Sequence, residues 1–346
     1  MKTTAKRLLI RPSDLAPSHD CLEVVGAFNP GAVAFGGGVL LLVRVAERPR
    51  ERREGFTALP RWADGRVVVD WVPNEELRPL DPRVVQRKAD GLVRLTFTSH
   101  LRVLYSPDGR TVESFDGPVF KPASECEEFG VEDPRIARLD ERYYFTYVAV
   151  SRHGAATALA STRDFRTFER HGVIFHPENK DVVLFPEKIG GEYVALHRPN
   201  AATPFCAPEM WIARSSDLIH WGRHEPFLGG LGTWDTGRIG AGTPPIRTPK
   251  GWLEIYHGNR RPERDQEVGA YAAGALLLDL EDPRQMLWFS PDPIMEPEQD
   301  YEREGFVPDV VFPTGIVRRQ GAFLVYYGAA DCRTAVAEIS DLNLGA

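Results

Sequence analysis

The fold is decided by a design that is clearest in residues 132–147, which read EDPRIARLDERYYFTY. The segment begins at a residue followed by proline, turns at polar residues and continues in a run rich in aromatic and β-branched types. This order of signals is typical of a β-hairpin. The design occurs five times, at 28–44 (FNPGAVAFGGGVLLLVR), 132–147, 184–197 (LFPEKIGGEYVALH), 242–257 (GTPPIRTPKGWLEIYH) and 311–327 (VFPTGIVRRQGAFLVYY).

Repeated hairpins without strong helical periodicity predict an all-β fold, a five-bladed β-propeller with a central axial active site. The 346 residues divide into about 69 per unit, enough for four strands and their loops. We therefore predict one catalytic domain over residues 1–346, with a short N-terminal extension at residues 1–20. The alternative is a β-sandwich or two all-β domains. Between the first two hairpins, residues 66–70 and 92–96 also have the composition of strands.

The composition excludes several functions. There are 42 Lys and Arg residues against 49 Asp and Glu, a net charge of −7, which disfavours general binding to nucleic acids or to membrane surfaces. The apolar runs are too short for a secretory signal or a spanning helix. Four scattered cysteines without a Cys/His cluster predict reduced thiols, a cytoplasmic location and no metal site. The basic run at residues 48–53 is either a solvated loop or an anion-binding patch.

The repeats also predict where a site lies. Aligned on their turns, the second strands end at Arg44, Tyr147, His197, His257 and Tyr327. The residues that precede the prolines of the first strands should lie on the same rim; they are Asn29, Asp133, Phe185, Thr243 and Phe312. Because blades converge at the axis of a propeller, equivalent positions should ring one polar pocket. The alternative is that Tyr and His only finish strands at the surface.

The residue types in and near this ring combine two kinds of chemistry. Aromatic rings with carboxylates suit a carbohydrate, whose C–H faces stack on rings. Arg, Lys and His suit an anion such as phosphate. Together they indicate a sugar that is cleaved by phosphate. A non-catalytic propeller that binds a sugar or a protein is the alternative from another class.

At this point the sequence resembles glycoside hydrolase family 130, the β-mannoside phosphorylases and β-1,2-mannosidases. The matching motifs run from residue 28 to residue 331, in one order along nearly the whole chain. They are FNPGAV (28–33), VEDPRI (131–136), LFPEKIGGEYVALHRP (184–199), GAGTPPI (240–246), GWLEIYHG (251–258), YAAGALLLDLEDP (271–283), VVFPTGIV (310–317) and YYGAAD (326–331).

The resemblance implies a five-bladed propeller and an inverting phosphorylase that converts a β-mannoside and inorganic phosphate into mannose 1-phosphate. It implies that Asp133 is the general acid, which protonates the glycosidic oxygen through a sugar hydroxyl while phosphate attacks from the opposite face. Inorganic phosphate is then a co-substrate, and no cofactor or metal is expected. An inverting β-mannosidase that uses water, with β-1,2-linked substrates, is the alternative on the same scaffold.

The resemblance also implies the binding residues. The best matches to the phosphate cradle are Arg152, Lys188 and His257, and the matches to the sugar site are Asn29, Arg44 and Asp331. The repeat alignment and the aromatic content add Tyr147, His197 and Tyr271 to the substrate-binding set, and Asp309 completes it. The sequence departs from the family at residues 151–154, SRHG, and at Asp309, where the family leads us to expect Asn. The expected partners are a β-mannoside disaccharide or oligosaccharide and inorganic phosphate, and a homo-oligomer is plausible for the family.

Overall fold

The computed structural model describes residues 3–81, 83–114, 116–200, 205, 207–232, 234–260 and 268–340. Almost all of their regular structure is β-strand, which confirms the all-β prediction. The helices are short: Pro12–Asp14, Asn74–Glu76 and Glu125–Glu127 are single 3₁₀ turns, and α1 spans Asp300–Arg303. The strands are β1 (Thr3–Ile10), β2 (Leu22–Phe35), β3 (Gly38–Pro49), β4 (Phe56–Ala63), β5 (Arg66–Pro73), β6 (Leu77–Asp81), β7 (Val84–Arg87), β8 (Val93–Leu95), β9 (Thr98–Ser106), β10 (Val119–Phe120), β11 (Gly130–Leu139), β12 (Arg142–Ser151), β13 (Gly154–Thr162), β14 (Glu169–Phe175), β15 (Asn179–Leu184), β16 (Tyr193–Pro199), β17 (Met210–Ser215), β18 (Trp221–Leu228), β19 (Ile239–Ala241), β20 (Ile246–Thr248), β21 (Gly251–Asn259), β22 (Tyr271–Leu278), β23 (Met286–Phe289), β24 (Val311–Arg319), β25 (Ala322–Ala329) and β26 (Arg333–Ser340).

The strands form five large antiparallel sheets. Sheet 1 has the order β10-β9-β3-β2, sheet 2 the order β11-β12-β13-β14 and sheet 3 the order β15-β16-β17-β18. Sheet 4 has the order β19-β21-β22-β23, with β20 also paired to β21, and sheet 5 has the order β24-β25-β26-β1. Each of the five predicted hairpins is present, and each lies in a different sheet.

The first strand of the chain completes the last sheet. β1 pairs antiparallel with β26 from Thr3 to Ile10, and Ile10 is fully buried. The sequence prediction of a short extension at residues 1–20 is therefore wrong for residues 3–10. The cause is that β1 is half-exposed along most of its length, so its single apolar run, Leu8-Leu9-Ile10, resembles the end of a loose tail.

Five apolar clusters fill the spaces between successive sheets. Each cluster joins two sheets that are adjacent in chain order, and one of them joins sheet 5 back to sheet 1. Burying a large apolar side chain stabilises the fold by about 1.5–3 kcal/mol, so these contacts supply most of the stability. Representative residues that share a cluster are Leu42 and Ile136 for sheets 1 and 2, Leu159 and Val182 for sheets 2 and 3, Leu196 and Tyr256 for sheets 3 and 4, Leu253 and Val325 for sheets 4 and 5, and Val317 and Leu41 for sheets 5 and 1.

An insert between β3 and β9 forms two further small sheets. β4 pairs with β5, and β6, β7 and β8 form a three-stranded sheet. Leu59, Leu77 and Val85 give the insert a small apolar cluster of its own. The strand-like runs predicted at 66–70 and 92–96 are β5 and β8. The insert contributes side chains to the pocket that is described next.

Candidate active site

The same bulge occurs in the first strand of three sheets. The pairing register skips two residues at 29–30 in β2, at 133–134 in β11 and at 181–182 in β15. The first residue of each bulge has a positive φ, 50° for Asn29, 49° for Asp133 and 56° for Asp181. Asn and Asp tolerate this left-handed backbone better than other side chains do. Each bulge thus re-aims one short polar side chain away from the regular alternation of its strand.

The three bulge residues line one pocket, which we call the central pocket. Side chains from all five large sheets and from the insert surround it, with Phe97, Tyr271 and Phe312 among its aromatic walls. Its described lining holds five cationic side chains against four carboxylates. They are Arg44, Arg83, Lys180, Arg198 and Arg238, and Glu132, Asp133, Asp181 and Asp331.

Asp133 accepts two hydrogen bonds on the same oxygen. Asn29 Nδ2 lies 2.8 Å from Asp133 Oδ1, and Arg44 Nη1 lies 2.9 Å from it. Burial alone would raise the pKa of Asp133. Arg44, then Arg135, and the hydrogen bond from Asn29 outweigh burial and hold that pKa below its ordinary value. The carboxyl of Asp133 is therefore ionised in the unliganded protein at neutral pH.

Two other carboxyl groups around Asp133 are shifted in the opposite direction. Arg44 Nη2 also lies 2.6 Å from Glu132 Oε1, yet burial and the adjacent Asp133 charge raise the pKa of Glu132. Burial likewise raises the pKa of Asp331, although Arg83 of the insert pairs with it. Neighbouring carboxyl groups whose pKa values are pushed apart are typical of sites that move a proton.

Asp181 anchors the cationic side of the central pocket. Its carboxylate accepts from Arg198 Nε at 2.6 Å and from Arg135 Nη2 at 3.1 Å, and it lies 3.2 Å from His257 Nε2. Burial opposes ionisation, but Arg198 first, then His257 and Arg135, hold the pKa of Asp181 well below its ordinary value. Burial lowers the pKa of His257.

Three buried polar atoms at the central pocket have no hydrogen-bond partner among the described residues. They are Arg198 Nη1, His257 Nδ1 and Asn29 Oδ1. Buried polar groups are normally paired, because an unpaired one costs about 1–3 kcal/mol. Because His257 Nε2 donates to the Asp181 carboxylate, Nδ1 of the neutral imidazole is an acceptor. One donor, Arg198 Nη1, and two acceptors, His257 Nδ1 and Asn29 Oδ1, therefore mark positions for ligand atoms.

The structure brings half of the predicted site residues together. Asn29, Arg44, Asp133, Tyr271 and Asp331 line the central pocket, in agreement with their predicted placement. His257 lies directly behind the lining, fully buried, where it contacts Asp181 and the ring of Phe312 at 4.2 Å between centroids.

Tyr147 and His197 are not in the central pocket, contrary to the sequence prediction. Each lies opposite a bulge, one residue before the position that pairs at the rim, which is Val148 in β12 and Arg198 in β16. A shift of one residue moves a side chain to the other face of a sheet. Tyr147 is accordingly buried within sheet 2, where its hydroxyl donates to Glu127, and His197 faces away from the centre.

Two of the predicted phosphate ligands lie elsewhere. Lys188 is exposed in the β15–β16 turn, at the opposite end of that hairpin from Lys180, and packs 4.5 Å over the Tyr193 ring. Arg152 is exposed and holds Glu128 through Nε at 2.7 Å. Neither residue lines the central pocket, and their assignment to the phosphate cradle stays a prediction from the family resemblance.

Asp309 also differs from its prediction. It is exposed, and its contact with the site runs through its backbone carbonyl, which accepts from the Tyr271 amide at 2.9 Å. Phe185, aligned with Asn29 and Asp133 from the prolines, is instead a core residue against Trp252. The equivalent residue in sheet 3 is Asp181, which lies in a bulge without proline.

Sequence reasoning missed four cationic or acidic residues of the pocket and named Arg198 only as a neighbour. The missed residues are Arg83, Lys180, Asp181 and Arg238. The signal that could have found two of them is the pair Lys180-Asp181 immediately before the apolar run Val182-Val183-Leu184. Arg83 belongs to the insert, and nothing in the hairpin repeat points to it.

The basic run at residues 48–53 is engaged in surface ion pairs. Arg48 and Arg52 both pair with Glu23, and Arg53 pairs with Glu51. These side chains are about half exposed, so the solvated-loop interpretation is favoured over an anion site.

Other classes of site are not evident in the described part of the chain. It contains no group of three or more His, Cys, Asp or Glu side chains placed to hold a metal ion. Within the same residues, no helix is both long and apolar enough to cross a membrane. Cys21, Cys126 and Cys332 are free, and Cys206 lies outside the described residues.

Comparison with known proteins matches this site to a family. Residues 83–344 match a family model described as beta-1,4-mannooligosaccharide phosphorylase, of glycoside hydrolase family 130. The chain is 40% identical to a β-1,2-mannobiose phosphorylase of Listeria innocua over 94% of this chain and 92% of that protein. The chain belongs to glycoside hydrolase family 130.

Further relatives within glycoside hydrolase family 130 agree. A 1,2-β-oligomannan phosphorylase of Thermoanaerobacter is 39% identical over 71% of this chain and 81% of that protein. The solved structure of the Listeria innocua β-1,2-mannobiose phosphorylase in complex with β-1,2-mannobiose aligns with a TM-score of 0.90. That alignment covers 97% of this chain and 95% of the solved chain, at 39% identity. The resemblance seen in the sequence motifs is thereby confirmed.

Proposed function

We propose that this protein cleaves β-mannosides with inorganic phosphate, with inversion, and releases mannose 1-phosphate. The observation that carries the proposal is the division of the central pocket. Asp133 and its hydrogen-bonding partners come from sheets 1 and 2, whereas the cations Lys180 and Arg198 come from sheet 3 and Arg238 directly precedes β19 of sheet 4. A site that joins one acid to a group of cations suits attack by an anion that is already nucleophilic. The named activities of the family 130 relatives support the same reaction.

The proposed architecture is one five-bladed propeller domain around this pocket. Five large sheets and five inter-sheet clusters, one of them joining sheet 5 to sheet 1, support it. The three bulges support it as well, since they place equivalent residues of sheets 1, 2 and 3 in a single pocket. In this arrangement the pocket lies on the propeller axis.

Asp133 is the proposed general acid. Its low pKa in the unliganded protein fits this role when the co-substrate is considered, because a phosphate dianion brought into the pocket disfavours a nearby carboxylate and raises its pKa. The proton then passes from Asp133 to a sugar hydroxyl and from that hydroxyl to the glycosidic oxygen. Phosphate oxygen forms the new bond to the anomeric carbon on the opposite face as the glycosidic bond breaks.

Phosphate binds, in this proposal, to Lys180, Arg198 and Arg238, with His257 behind them. Arg198 Nη1 is a buried donor without a partner, and a phosphate oxygen is an acceptor that suits it. His257 Nδ1 is a buried acceptor without a partner, and it suits the hydroxyl of a hydrogen phosphate ion. This assignment replaces Arg152 and Lys188. Inorganic phosphate is the co-substrate in this scheme, and none of its steps uses a further cofactor.

The sugar occupies the side of Asn29, Arg44, Tyr271 and Asp331. Asn29 Oδ1 is the unpaired acceptor for a hydroxyl, and the ring of Tyr271 offers a stacking face. We propose β-1,2-linked mannose as the preferred substrate, because the two relatives described above are named for that linkage. A cytoplasmic location and a homo-oligomeric assembly stay predictions from the sequence.

The deciding experiment measures whether cleavage depends on phosphate. The purified protein is incubated with β-1,2-mannobiose and with β-1,4-mannobiose, with and without inorganic phosphate, and sugar phosphate and free mannose are quantified. We expect mannose 1-phosphate of α-configuration from the β-1,2 substrate only when phosphate is present. Equal turnover in phosphate-free buffer, with mannose as the product, would identify a hydrolase.

A further inference from the structure

A second cavity lies on the other side of sheet 3, and we call it the outer aromatic pocket. It has a volume of about 700 Å³, within the range of small-molecule sites. Three aromatic side chains form much of its wall, Phe175 of β14, Trp211 of β17 and Trp221 of β18. Both tryptophans are only partly buried, so part of each indole remains available to a ligand. The residues of the central pocket are not among those that line it.

A chain of hydrogen bonds runs along one wall of the outer aromatic pocket. Asn179 Nδ2 lies 3.0 Å from His197 Nδ1, and His197 Nε2 lies 3.1 Å from His224 Nδ1. If Asn179 donates to His197, then His197 carries its proton on Nε2 and donates to His224. The neutral His224 imidazole then presents its own Nε2–H at the exposed end of the chain.

The inner end of this chain is unsatisfied. Asn179 is 7% exposed, and its Oδ1 has no hydrogen-bond partner among the described residues. Turning the amide over would leave its nitrogen unpaired instead, so one polar atom of Asn179 lacks a partner in either orientation. Such a buried atom is normally satisfied, which indicates a ligand hydroxyl at this position.

The outer aromatic pocket is almost free of charge. Among the described residues that line it there is no Lys or Arg, and Glu178 is the one carboxylate. Glu178 Oε1 already accepts from the Ala155 amide at 2.9 Å. The described lining therefore lacks a cationic group for a phosphate or a carboxylate ligand. It offers ring faces, one unsatisfied amide and imidazole, the combination that binds an uncharged pyranose ring.

We propose that the outer aromatic pocket is a second carbohydrate site, which holds a mannosyl unit of a β-mannoside apart from the site of cleavage. That the sugar is mannose rests on the proposed function, whereas the preference for an uncharged pyranose rests on the pocket itself. The ring stacks on Trp211, one hydroxyl bonds to Asn179, and another accepts from His224. This site would retain an oligosaccharide on the enzyme between cleavage events.

The test follows the indole N–H resonance of Trp211 by nuclear magnetic resonance, assigned by its loss in Trp211→Phe. β-1,2-Mannotriose is titrated into the parent protein in phosphate-free buffer. We expect a saturable shift of this resonance. His224→Ala should weaken the apparent affinity at Trp211 about tenfold, the value of a hydrogen bond or two. His220→Ala is the matched control, since this exposed histidine precedes His224 by four residues and pairs with Asp217 instead.

Phosphorolysis of β-1,2-mannobiose is measured on the same samples. We expect kcat/KM of His224→Ala and of Trp211→Phe to stay within about twofold of the parent, because neither residue lines the central pocket. No shift of the Trp211 resonance, or the same titration curve in His224→Ala as in the parent, would overturn the second site. Failure of phosphate-dependent cleavage with a normal Trp211 titration would instead overturn the proposed reaction and leave the carbohydrate site standing.

Discussion

Lys180 and Arg198 face the central pocket, whereas their immediate neighbours Asn179 and His197 face the outer aromatic pocket. Both pairs lie on β15 and β16, and they differ only by the alternation of side chains along a strand. The inner face is charged and tightly ion-paired around Asp181, and the outer face is neutral and aromatic. One hairpin thus supports two environments of opposite chemistry, with side chains that differ by one position in sequence.

The largest expected effect is a loss of catalytic activity when the central pocket is changed while the outer aromatic pocket is left intact. Asp133→Asn keeps a residue that tolerates the positive φ of the bulge but removes the acid. We expect kcat for phosphorolysis to fall about a thousandfold, the usual contribution of a general acid. The Trp211 titration with β-1,2-mannotriose should be unchanged. Asp140→Asn, at an exposed turn with a similar φ, is the control. Activity above a tenth of the parent would exclude Asp133 as the acid.

The second effect compares stability between the two faces. Asp181→Asn leaves Arg198 and Arg135 without their buried counter-charge, and we expect the free energy of unfolding to fall by about 3 kcal/mol. On the outer face, Asn179→Ala removes a single neutral hydrogen bond and should cost about 1 kcal/mol. Urea denaturation of both variants measures the two values. Equal losses in the two variants would mean that the buried ion pairs of Asp181 stabilise the fold no more than one neutral hydrogen bond does.

The third effect is a difference between the two faces in how the free energy of unfolding depends on pH. The pKa of His197 is lowered from 6.5 to about 3, mainly by burial and then by His224. Below pH 6.5, His197 is therefore protonated in the unfolded chain but still neutral in the folded protein. The free energy of unfolding consequently falls as the pH falls. Asp181, whose pKa is also lowered, begins to lose its stabilising charge only below its unfolded value of 3.8.

The corresponding variant is His197→Gln, which cannot titrate. Relative to the parent, its free energy of unfolding should rise by about 2 kcal/mol between pH 6.5 and about pH 4, within the limit set by the His197 shift. Parallel stability curves for variant and parent over this interval would show that His197 is not held neutral by the fold.

The smallest expected effect tests which lysine binds phosphate. Lys180→Met and Lys188→Met make the same change at opposite ends of one hairpin. We expect Lys180→Met to raise the KM for phosphate about tenfold, the value of one charged hydrogen bond, with a smaller change in the KM for mannobiose. Lys188→Met should leave both constants within about twofold. The reverse result would restore the assignment that family resemblance alone suggested.

Sequence patterns predicted the five hairpins because each turn is marked by Gly or by polar residues, as at Gly190-Gly191 and Asp140-Glu141. They also predicted Asp133, Asn29 and Arg44, where proline or a charged strand end marks the bulge. The assignments of Tyr147 and His197 were wrong by one position. The residues opposite the three bulges are Val43, Tyr147 and His197. The counterparts of Arg44 are therefore Val148 and Arg198, one residue later than the alignment on the turns places them.

The remaining errors have a different cause. Asp181 escaped prediction because its bulge contains no proline, and the proline that follows, Pro186, lies near the turn instead. Arg83 comes from an insert outside the repeat, so only its tertiary placement brings it to Asp331. Contacts between segments that are far apart in sequence cannot be read from local propensity. Such contacts determine which of these residues line the central pocket.

The pairing of β1 with β26 restricts when sheet 5 can form during synthesis of the protein. Sheet 5 needs both Thr3–Ile10 and Arg333–Ser340, so the ribosome must synthesise both segments before this sheet is complete. Until then β1 is unpaired, and sheets 1 and 4 lack the sheet that packs between them. Removing residues 3–10 would leave β26 as an open edge, a template for pairing with another chain. β26 is therefore synthesised after sheets 1 to 4, and its pairing secures β1.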